Sequence, residues 1–372
     1  MTGRIGVAAI AAALWMGGTL AAQERAIQFP DVPGYYTLSV DLHTHSVFSD
    51  GLVWPDIRID EARRDGLDLI AVTEHLEYQP HEDDIPHPDR NRSFELATGH
   101  VERQESDLLV VNGAEITRDM PPGHVNAVFL SDANALLADD AMEAFRAADL
   151  QAAFVFWNHP AWTSQRPDGV ARLTEMHREL IRGGLLHGIE VANGAGYTAE
   201  ALQIALDLNL TILGVSDIHG LIDWDYDVHD GGHRTVTLVL ARERTADAVR
   251  EALMARRTIA WFNNLLIGRE DALRPLLETS LTVSGAVLRG ESEVVGVTLS
   301  NRSDAAFQLR SVSAHRFAEH STVVRVPPHG QVVLGVTGET RPAFDLEFDV
   351  LNAVTAPDTH PSLRLRVEVD GR

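Results

Sequence analysis

One pattern limits the folds open to this chain more than any other: short apolar runs of strand-forming residues repeatedly end in histidine or in an acidic residue. The first run, residues 36–40, is followed by His43 and His45, and Asp50 comes five residues after His45. Side chains alternate along an extended strand, so the two imidazoles would point to one face. Imidazole nitrogens beside a carboxylate suit a divalent metal ion. The stretch therefore predicts the beginning of a metal site at a strand end.

The same kind of residue recurs at later predicted strands. Strand-like runs span residues 67–72, 108–114, 124–130, 152–157, 188–191 and 211–215, and helical patterns span 54–65, 136–147, 169–182, 198–208 and 246–256. The residues at strand ends, or at the start of the fourth strand, are His75, Glu115, His124, His159, Asp217 and His219. Alternating strands and helices predict a parallel sheet or barrel with active-site residues at the strand ends. Because charged residues are rarely buried singly, the clustering favours one shared metal site over independent polar residues.

The two ends of the chain predict further segments. Residues 1–22 have the pattern of a secretory signal peptide, with Arg4 before an apolar run and small residues at the cleavage position. An uncleaved membrane anchor is the alternative, which the short run and its Gly17-Gly18 interruption disfavour. No later run is long and apolar enough to span a bilayer. We therefore expect a periplasmic or secreted protein with a linker at residues 23–35.

The pattern of predicted secondary structure changes near residue 275. Residues 36–270 carry the strand–helix alternation, and residues 275–372 carry short alternating runs separated by turn residues. Such runs without helical patterns predict a β-sandwich of roughly Ig-like size. Three of its histidines, His315, His320 and His329, have no acidic residues in a matching pattern and are predicted to lie on the surface.

The composition excludes several kinds of chemistry. The chain has no cysteine and no lysine, so thiolate nucleophiles, disulfides, cysteine-based zinc sites and Schiff-base chemistry are not available. Its net charge of −23 would repel a nucleic-acid backbone, so we expect no nucleic-acid polymer as a partner. The sequence predicts nothing about the oligomeric state.

Taken in order, the motifs resemble those of the PHP (polymerase and histidinol phosphatase) family. The matching motifs are His43-x-His45 with Asp50, Thr73-Glu74-His75, Gly113-x-Glu115, Gly123-His124, Asn158-His159-Pro160 and Asp217-x-His219. The resemblance covers about residues 36–265. It implies an α/β fold, a distorted (β/α)7 barrel, which an all-β sandwich-like domain would follow here. Asp50 stands where many members of the family have a histidine.

The resemblance also implies how these residues would share metal ions. His43, His45, Glu115 and Asp217 would hold one ion, Glu115 would bridge to a second held by His124 and His159, and Asp50, His75 and His219 would hold a third. A nitrogen-rich ligand set without cysteine admits Mn²⁺, Zn²⁺ or Fe²⁺, so we expect two to three divalent transition metal ions. Because a bridging carboxylate helps two ions to activate water, Glu115 and Asp217 are the predicted catalytic carboxylates.

The expected activity is hydrolysis of a small phosphate ester. More narrowly, the loop after His75 and the overall length resemble the Sb-PDE-type phosphodiesterases, which act on organophosphate diesters. Two alternatives stay open: a phosphomonoesterase of the same fold, and a non-catalytic, metal-containing binding or scaffold protein.

A long insertion, residues 77–104, follows the second predicted strand and should lie over the mouth of the barrel. One interpretation is a lid in which Arg90 or Arg92 binds a phosphate oxygen through its forked donors, and we predict these two arginines as catalytic residues. A solvated charged loop is an equally good interpretation.

Overall fold

The structure, a computed structural model, describes residues 26–289, 293–340 and 342–369. The predicted signal peptide at 1–22 and the first residues of the predicted linker lie outside these ranges, so export stays a prediction. Within the described ranges, no helix is long and apolar enough to cross a membrane.

A large curled sheet forms the first part of the molecule. Its strands in this part are Tyr36–Asp41 (β1), Leu69–Val72 (β2), Leu109–Thr117 (β3), His124–Val128 (β4), Phe154–Trp157 (β5), Gly188–Asn193 (β6), Gly196–Tyr197 (β7), Thr211–Val215 (β8), Val236–Ala241 (β9), Thr258–Phe262 (β10) and Leu265–Gly268 (β11). Strand β2 pairs in parallel with β1 and β3, and β6 pairs in parallel with β5 and β8.

The sheet is mixed, whereas strand–helix alternation alone predicted a parallel one. Strand β4 runs antiparallel to both β3 and β5, and β9 runs antiparallel to β1 and β10. The segment between β3 and β4 carries no helix, so it returns the chain in the opposite direction. As a consequence, His124 at the start of β4 lies opposite Thr117 at the end of β3.

Side-chain hydroxyls bring the two ends of this sheet together. The Thr237 hydroxyl hydrogen-bonds both the amide (3.0 Å) and the carbonyl (2.8 Å) of Gly214 on β8, and Thr258 donates to the Ile212 carbonyl at 2.7 Å. Glycine is required at position 214, because a Cβ there would lie 2.8 Å from the Ala260 side chain. The result is a barrel that is distorted where β8 meets β9 and β10.

Helices cover the outside of the barrel and mostly follow the predicted patterns. They are Pro55–Arg64 (α1), Arg92–Arg103 (α2), Ala141–Asp149 (α3), Glu175–Arg182 (α4), Ala199–Asp207 (α5), Ile222–Asp225 (α6), Ala246–Met254 (α7) and Glu270–Ser280 (α8). Helix α2 lies within the insertion at 77–104 and packs on α1, where His100 contacts Asp56 and Asp60 at 3.2 and 2.9 Å. Only the first part of the insertion therefore remains as a loop.

Two small antiparallel sheets pack face to face in the second part of the molecule. Their strands are Leu281–Leu288 (β12), Val295–Asn301 (β13), Phe307–Ser311 (β14), Arg316–Phe317 (β15), Val323–Val326 (β16), Gln331–Thr337 (β17), Ala343–Val350 (β18) and Ser362–Glu368 (β20). The order is β12-β13-β17-β15 in one sheet and β16-β14-β18-β20 in the other. Strand β19, Ala353–Val354, instead pairs in parallel with β11 and joins the barrel sheet.

One apolar core runs through both parts. It contains Leu238 and Trp261 from the barrel, Leu277 from α8, and Leu299 and Phe348 from the sandwich. The predicted fold class, an α/β distorted barrel followed by an all-β sandwich-like domain, is confirmed.

Candidate metal centre

The structure brings all nine predicted metal ligands together at one edge of the barrel. They are His43, His45, Asp50, His75, Glu115, His124, His159, Asp217 and His219. Possible ligand atoms fall into three overlapping groups: His45 with Asp50, His75 and His219; His43 with His45 and Glu115; and His75 with Glu115 and His124. This grouping shares Glu115 between two sets, as the family resemblance implied, but it also places His45 and His75 in two sets each.

Two histidines from the end of β1 meet two carboxylates. The Nε2 atoms of His43 and His45 lie 3.0 Å apart, and Asp217 Oδ1 is 3.1 and 3.2 Å from them. Glu115 Oε2 lies 3.5 Å from His43 Nε2 and 3.4 Å from His45 Nε2. Four potential ligand atoms therefore face one another across the space that one ion would occupy.

The second oxygen of Glu115 faces a different pair of histidines. Glu115 Oε1 lies 3.0 Å from His124 Nδ1 and 3.5 Å from His159 Nε2, and it accepts a hydrogen bond from the Asn158 amide at 2.8 Å. A carboxylate with each oxygen in a different group of imidazoles has the arrangement that bridging two ions requires.

Asp50 forms the third side of the site. Its Oδ2 is 3.4 Å from His75 Nε2, and its Oδ1 is 3.2 Å from His219 Nε2 and 3.7 Å from His45 Nδ1. Asp50 lies in a tight turn in which Gly51 packs against the backbone of the segment after β1, since a Cβ at Gly51 would lie 2.7 Å from backbone atoms of His45 and Ser46.

Hydrogen bonds fix which nitrogen of each imidazole points into the site. His43 Nδ1 lies 2.7 Å from Glu190, and His219 Nδ1 lies 2.8 Å from the Asp217 carbonyl. A carbonyl or carboxylate oxygen only accepts, so Nδ1 carries a proton in both rings, and in the neutral imidazole Nε2 keeps its lone pair. Such outer partners orient metal-binding imidazoles in known sites.

The same logic applies to two further histidines through hydroxyl groups. The Ser49 hydroxyl donates to the Glu74 carboxylate and therefore accepts from His45 Nδ1 at 3.3 Å. The Thr117 hydroxyl donates to the Glu115 carbonyl at 3.1 Å and accepts from His75 Nδ1 at 2.7 Å. In the neutral form of each ring, Nε2 is again the nitrogen without a proton.

These residues fit divalent metal ions. In the neutral imidazoles, unprotonated nitrogens face carboxylate oxygens at close range, an arrangement that requires a proton or a metal ion between them. Glu115 Oε2 and Asp50 Oδ1 are buried and accept no hydrogen bond of acceptable geometry from the part of the chain that the structure describes. Buried carboxylate oxygens of this kind are normally paired or coordinate a metal.

The close packing of buried imidazoles and carboxylates also shifts the pKa values of these groups. Burial lowers the pKa of His45 to about 3. Burial also opposes protonation of His75, but Glu115 and Asp50 outweigh it and raise the pKa of His75 to about 10. Burial would raise the pKa of Glu115 and Asp217, yet the neighbouring imidazoles hold both pKa values well below the ordinary range. The site therefore keeps ionised carboxylates that favour positive charge beside them.

Two of the nine residues have an unusual backbone conformation. Asp217 has a backbone φ of 49° and His159 has a backbone φ of 26°, values that residues other than glycine rarely adopt. Strained backbone of this kind occurs where the surrounding structure holds a functional residue in place.

A buried arginine that the sequence pattern did not reveal connects two loops of the site. Arg58 on α1 is 3% exposed and donates to the carbonyls of His45 (2.8 Å), His219 (2.9 Å) and Gly220, and it pairs with Glu61. It thereby fixes the chain after β1 relative to the chain after β8. Only the tertiary structure shows this role, because the sequence pattern of an amphipathic helix predicts that its arginines lie on the surface.

The two predicted arginines lie in different places. Arg90 is partly buried and its Nε donates to the Leu76 carbonyl at 3.1 Å, one residue from His75. Arg92 begins α2, and its half-exposed guanidinium pairs with Glu95 at 3.1 Å. The structure does not bring Arg92 into contact with the nine residues.

Comparison with known proteins agrees with the geometry. The crystal structure of a two-domain protein from Bacteroides vulgatus, described as containing a predicted PHP-like metal-dependent phosphoesterase, is 45% identical to this chain. The match covers 92% of this chain and 98% of that chain with a TM-score of 0.85. A structure from Bifidobacterium adolescentis that carries the name metal-dependent phosphoesterase is 19% identical over 49% of this chain and 88% of that chain. Its TM-score is 0.38.

A sequence profile described as an Ig-like domain matches residues 281–366, which form the sandwich. Among curated proteins, none matches the chain. The family resemblance that the motifs predicted is confirmed by the Bacteroides vulgatus structure, which matches nearly the whole length of both chains. The chain belongs to the family of PHP-like metal-dependent phosphoesterases.

Proposed function

We infer that this phosphoesterase hydrolyses small phosphodiesters in preference to phosphomonoesters. The supporting observation is that arginines near the centre are already engaged. Arg58 binds three carbonyls and Glu61, and Arg118 pairs with Glu77 and donates to the carbonyls of Ala138 and Asp139. A phosphodiester carries a single negative charge, whereas a monoester at neutral pH carries about two. A centre rich in carboxylates with few available cationic side chains suits the smaller charge.

Bound divalent ions would supply Lewis acidity, lowering the pKa of water and neutralising charge on the phosphoryl group. The residues of the chain supply orientation. Glu190 fixes the ring of His43, Ser49 that of His45, and Asn158 holds Glu115. In the overall reaction, water oxygen forms a new bond to phosphorus, one ester P–O bond breaks, and the departing alcohol takes up a proton that water has lost.

Arg90 is the better of the two predicted arginines for binding a phosphate oxygen. Its Nε donates to the carbonyl of Leu76, the residue that follows His75, and its two terminal nitrogens are not used in that hydrogen bond. Arg92 is paired with Glu95 at the surface and provides a matched control. Arg90→Ala should lower kcat/KM on a diester by about 30-fold or more, as loss of a preorganised charge stabiliser does, while Arg92→Ala should change it less than about threefold. Equal effects of both substitutions would exclude this role for Arg90.

The preference itself is tested with protein reconstituted separately with Mn²⁺, Zn²⁺ and Fe²⁺. We expect kcat/KM for bis(4-nitrophenyl) phosphate to exceed that for 4-nitrophenyl phosphate by at least about tenfold, or about 1.4 kcal/mol. A ratio below one would favour the phosphomonoesterase. Absence of turnover on both esters, with ions bound at the centre, would favour the non-catalytic alternative.

A further inference from the structure

Two exposed aromatic side chains lie beside the histidines of the centre. The ring of Trp162 is 5.2 Å from that of His159 and 5.3 Å from that of His124, and Trp162 is 43% exposed. Tyr78 contacts His75 edge-on at 5.6 Å and is 51% exposed. The metal centre thus has an aromatic wall at each of two sides, in a position that substrate groups outside the phosphoryl core would reach.

The backbone holds Trp162 in place. Its amide donates to the His159 carbonyl at 2.8 Å, and its own carbonyl accepts from the amides of Gln165 (3.0 Å) and Arg166 (2.7 Å). The Gln165 side chain in turn donates to the Arg118 carbonyl at 2.9 Å. An indole that is fixed at its backbone and still exposed on its ring offers a preformed flat surface, so a ligand that packs there loses little freedom in the protein.

Another tryptophan of nearly equal exposure provides the contrast. Trp54 is 42% exposed, but its ring packs on Phe48 at 5.1 Å. Among the described residues, its ring does not pack on the imidazole of any of the predicted ligands. Exposure alone therefore does not distinguish Trp162. Its distinguishing feature is direct contact with two imidazoles that face Glu115.

We propose that Trp162 is a specificity-determining residue whose indole packs against a flat, apolar ester group of the substrate, such as an aryl group. Tyr78 provides the corresponding surface for the second ester group. The inference rests on the proposed diesterase function, because a monoester carries only one organic group and a diester carries two. Stacked and edge-on aromatic contacts are favourable beyond the area that they bury, so exposed rings at this position would favour flat, apolar ester groups.

Two symmetrical substrates test this without needing to know which ester group faces which wall. They are bis(4-nitrophenyl) phosphate, which is aromatic, and bis(2,2,2-trifluoroethyl) phosphate, which is not and whose alcohol product is measured by ¹⁹F NMR. Trp162→Ala should lower kcat/KM about tenfold on the aromatic diester and less than about threefold on the fluoroalkyl diester. Trp162→Phe should restore most of the aromatic preference. Trp54→Ala is the matched control and should leave the ratio of the two substrates unchanged.

The remaining outcomes separate this inference from the proposed function. Equal loss on both diesters would mean that Trp162 acts only by holding His124 and His159, which would overturn the inference and leave the diesterase function intact. No loss on either diester would overturn it as well. If the unaltered protein, with its metal content verified, hydrolyses monoesters and neither diester, the proposed function fails and the inference fails with it.

Discussion

At the barrel edge, histidines and carboxylates are buried together, whereas on the sandwich charged residues face water in cross-strand pairs. Glu115 is 0% exposed among histidines. On the sandwich, Arg364 pairs with Glu347 at 2.6 Å, with side chains 69% and 40% exposed. Water can solvate the sandwich charges and screens their attraction, so such pairs contribute little. The barrel carboxylates have no such solvent, which is why they need cations and why the two regions should respond differently to the same kind of change.

Removal of metal should produce the largest difference between the regions. We expect elemental analysis of remetallated protein to give two to three divalent ions per chain. A strong chelator should abolish activity and lower the free energy of unfolding by roughly 3 kcal/mol or more, since ions that bind only the folded state stabilise it. Hydrogen exchange should rise in the segments around His45 and Asp217 and stay unchanged in β18 and β20. Unchanged exchange in both regions would mean that the cluster holds no ion.

Substitution of a single carboxylate should reproduce this contrast. Glu115→Gln should lower kcat more than about a hundredfold, because a neutral amide does not bridge two cations. Glu347→Gln, on the exposed face of the sandwich, should leave kcat and the melting temperature within experimental error. Steady-state kinetics together with metal content would check both variants. If Glu115→Gln keeps more than about a tenth of the activity, a loss below about 1.4 kcal/mol, Glu115 is not a bridging ligand.

Buried and exposed arginines should differ in the same way. Arg58→Met should lower the free energy of unfolding by about 3–5 kcal/mol, because it leaves Glu61 buried without its partner. Arg310→Met, which breaks an exposed pair with Asp349, should cost less than about 1 kcal/mol. Denaturant unfolding measures both. Arg58→Met should also reduce the number of bound ions, whereas a purely local loss of stability would leave the metal content of the folded protein intact.

The smallest effect concerns a buried histidine away from the metal centre. His177 stacks on Trp157 at 4.0 Å, its Nε2 donates to the Pro122 carbonyl, and its Nδ1 accepts from the Thr174 amide. Burial lowers the pKa of His177 to about 4. Between about pH 6.5 and about pH 4, His177 is therefore protonated in the unfolded chain but not in the folded chain. The free energy of unfolding falls as the pH falls through this range, by at most about 3 kcal/mol.

The control for this prediction lies in the sandwich. His177→Gln should remove that part of the pH dependence, and His320→Gln, on the exposed surface, should not. Thermal unfolding of the three proteins between pH 4 and pH 7 would decide. Identical slopes in all three would mean that His177 contributes no such term.

Much of the fold was predictable because its signals are local. The runs that became β13, β18 and β20 alternate between apolar and polar residues, as half-buried strands must. The order of the metal-ligand motifs in the barrel was equally clear from the sequence. Helix α8 was not predicted, since Pro275 interrupts its pattern. The direction of β4 was also not predicted. No residue pattern between β3 and β4 distinguishes a short return, which makes the strands antiparallel, from a crossover, which would make them parallel.

The sequence by itself determined which residues meet at the centre, because strand ends bring His, Asp and Glu to one edge once a strand–helix repeat is recognised. It did not determine how those residues are held. The bond from Arg58 to the His219 carbonyl, for example, spans 161 positions. Such contacts depend on how the closed barrel places distant loops, and only the tertiary structure decides that.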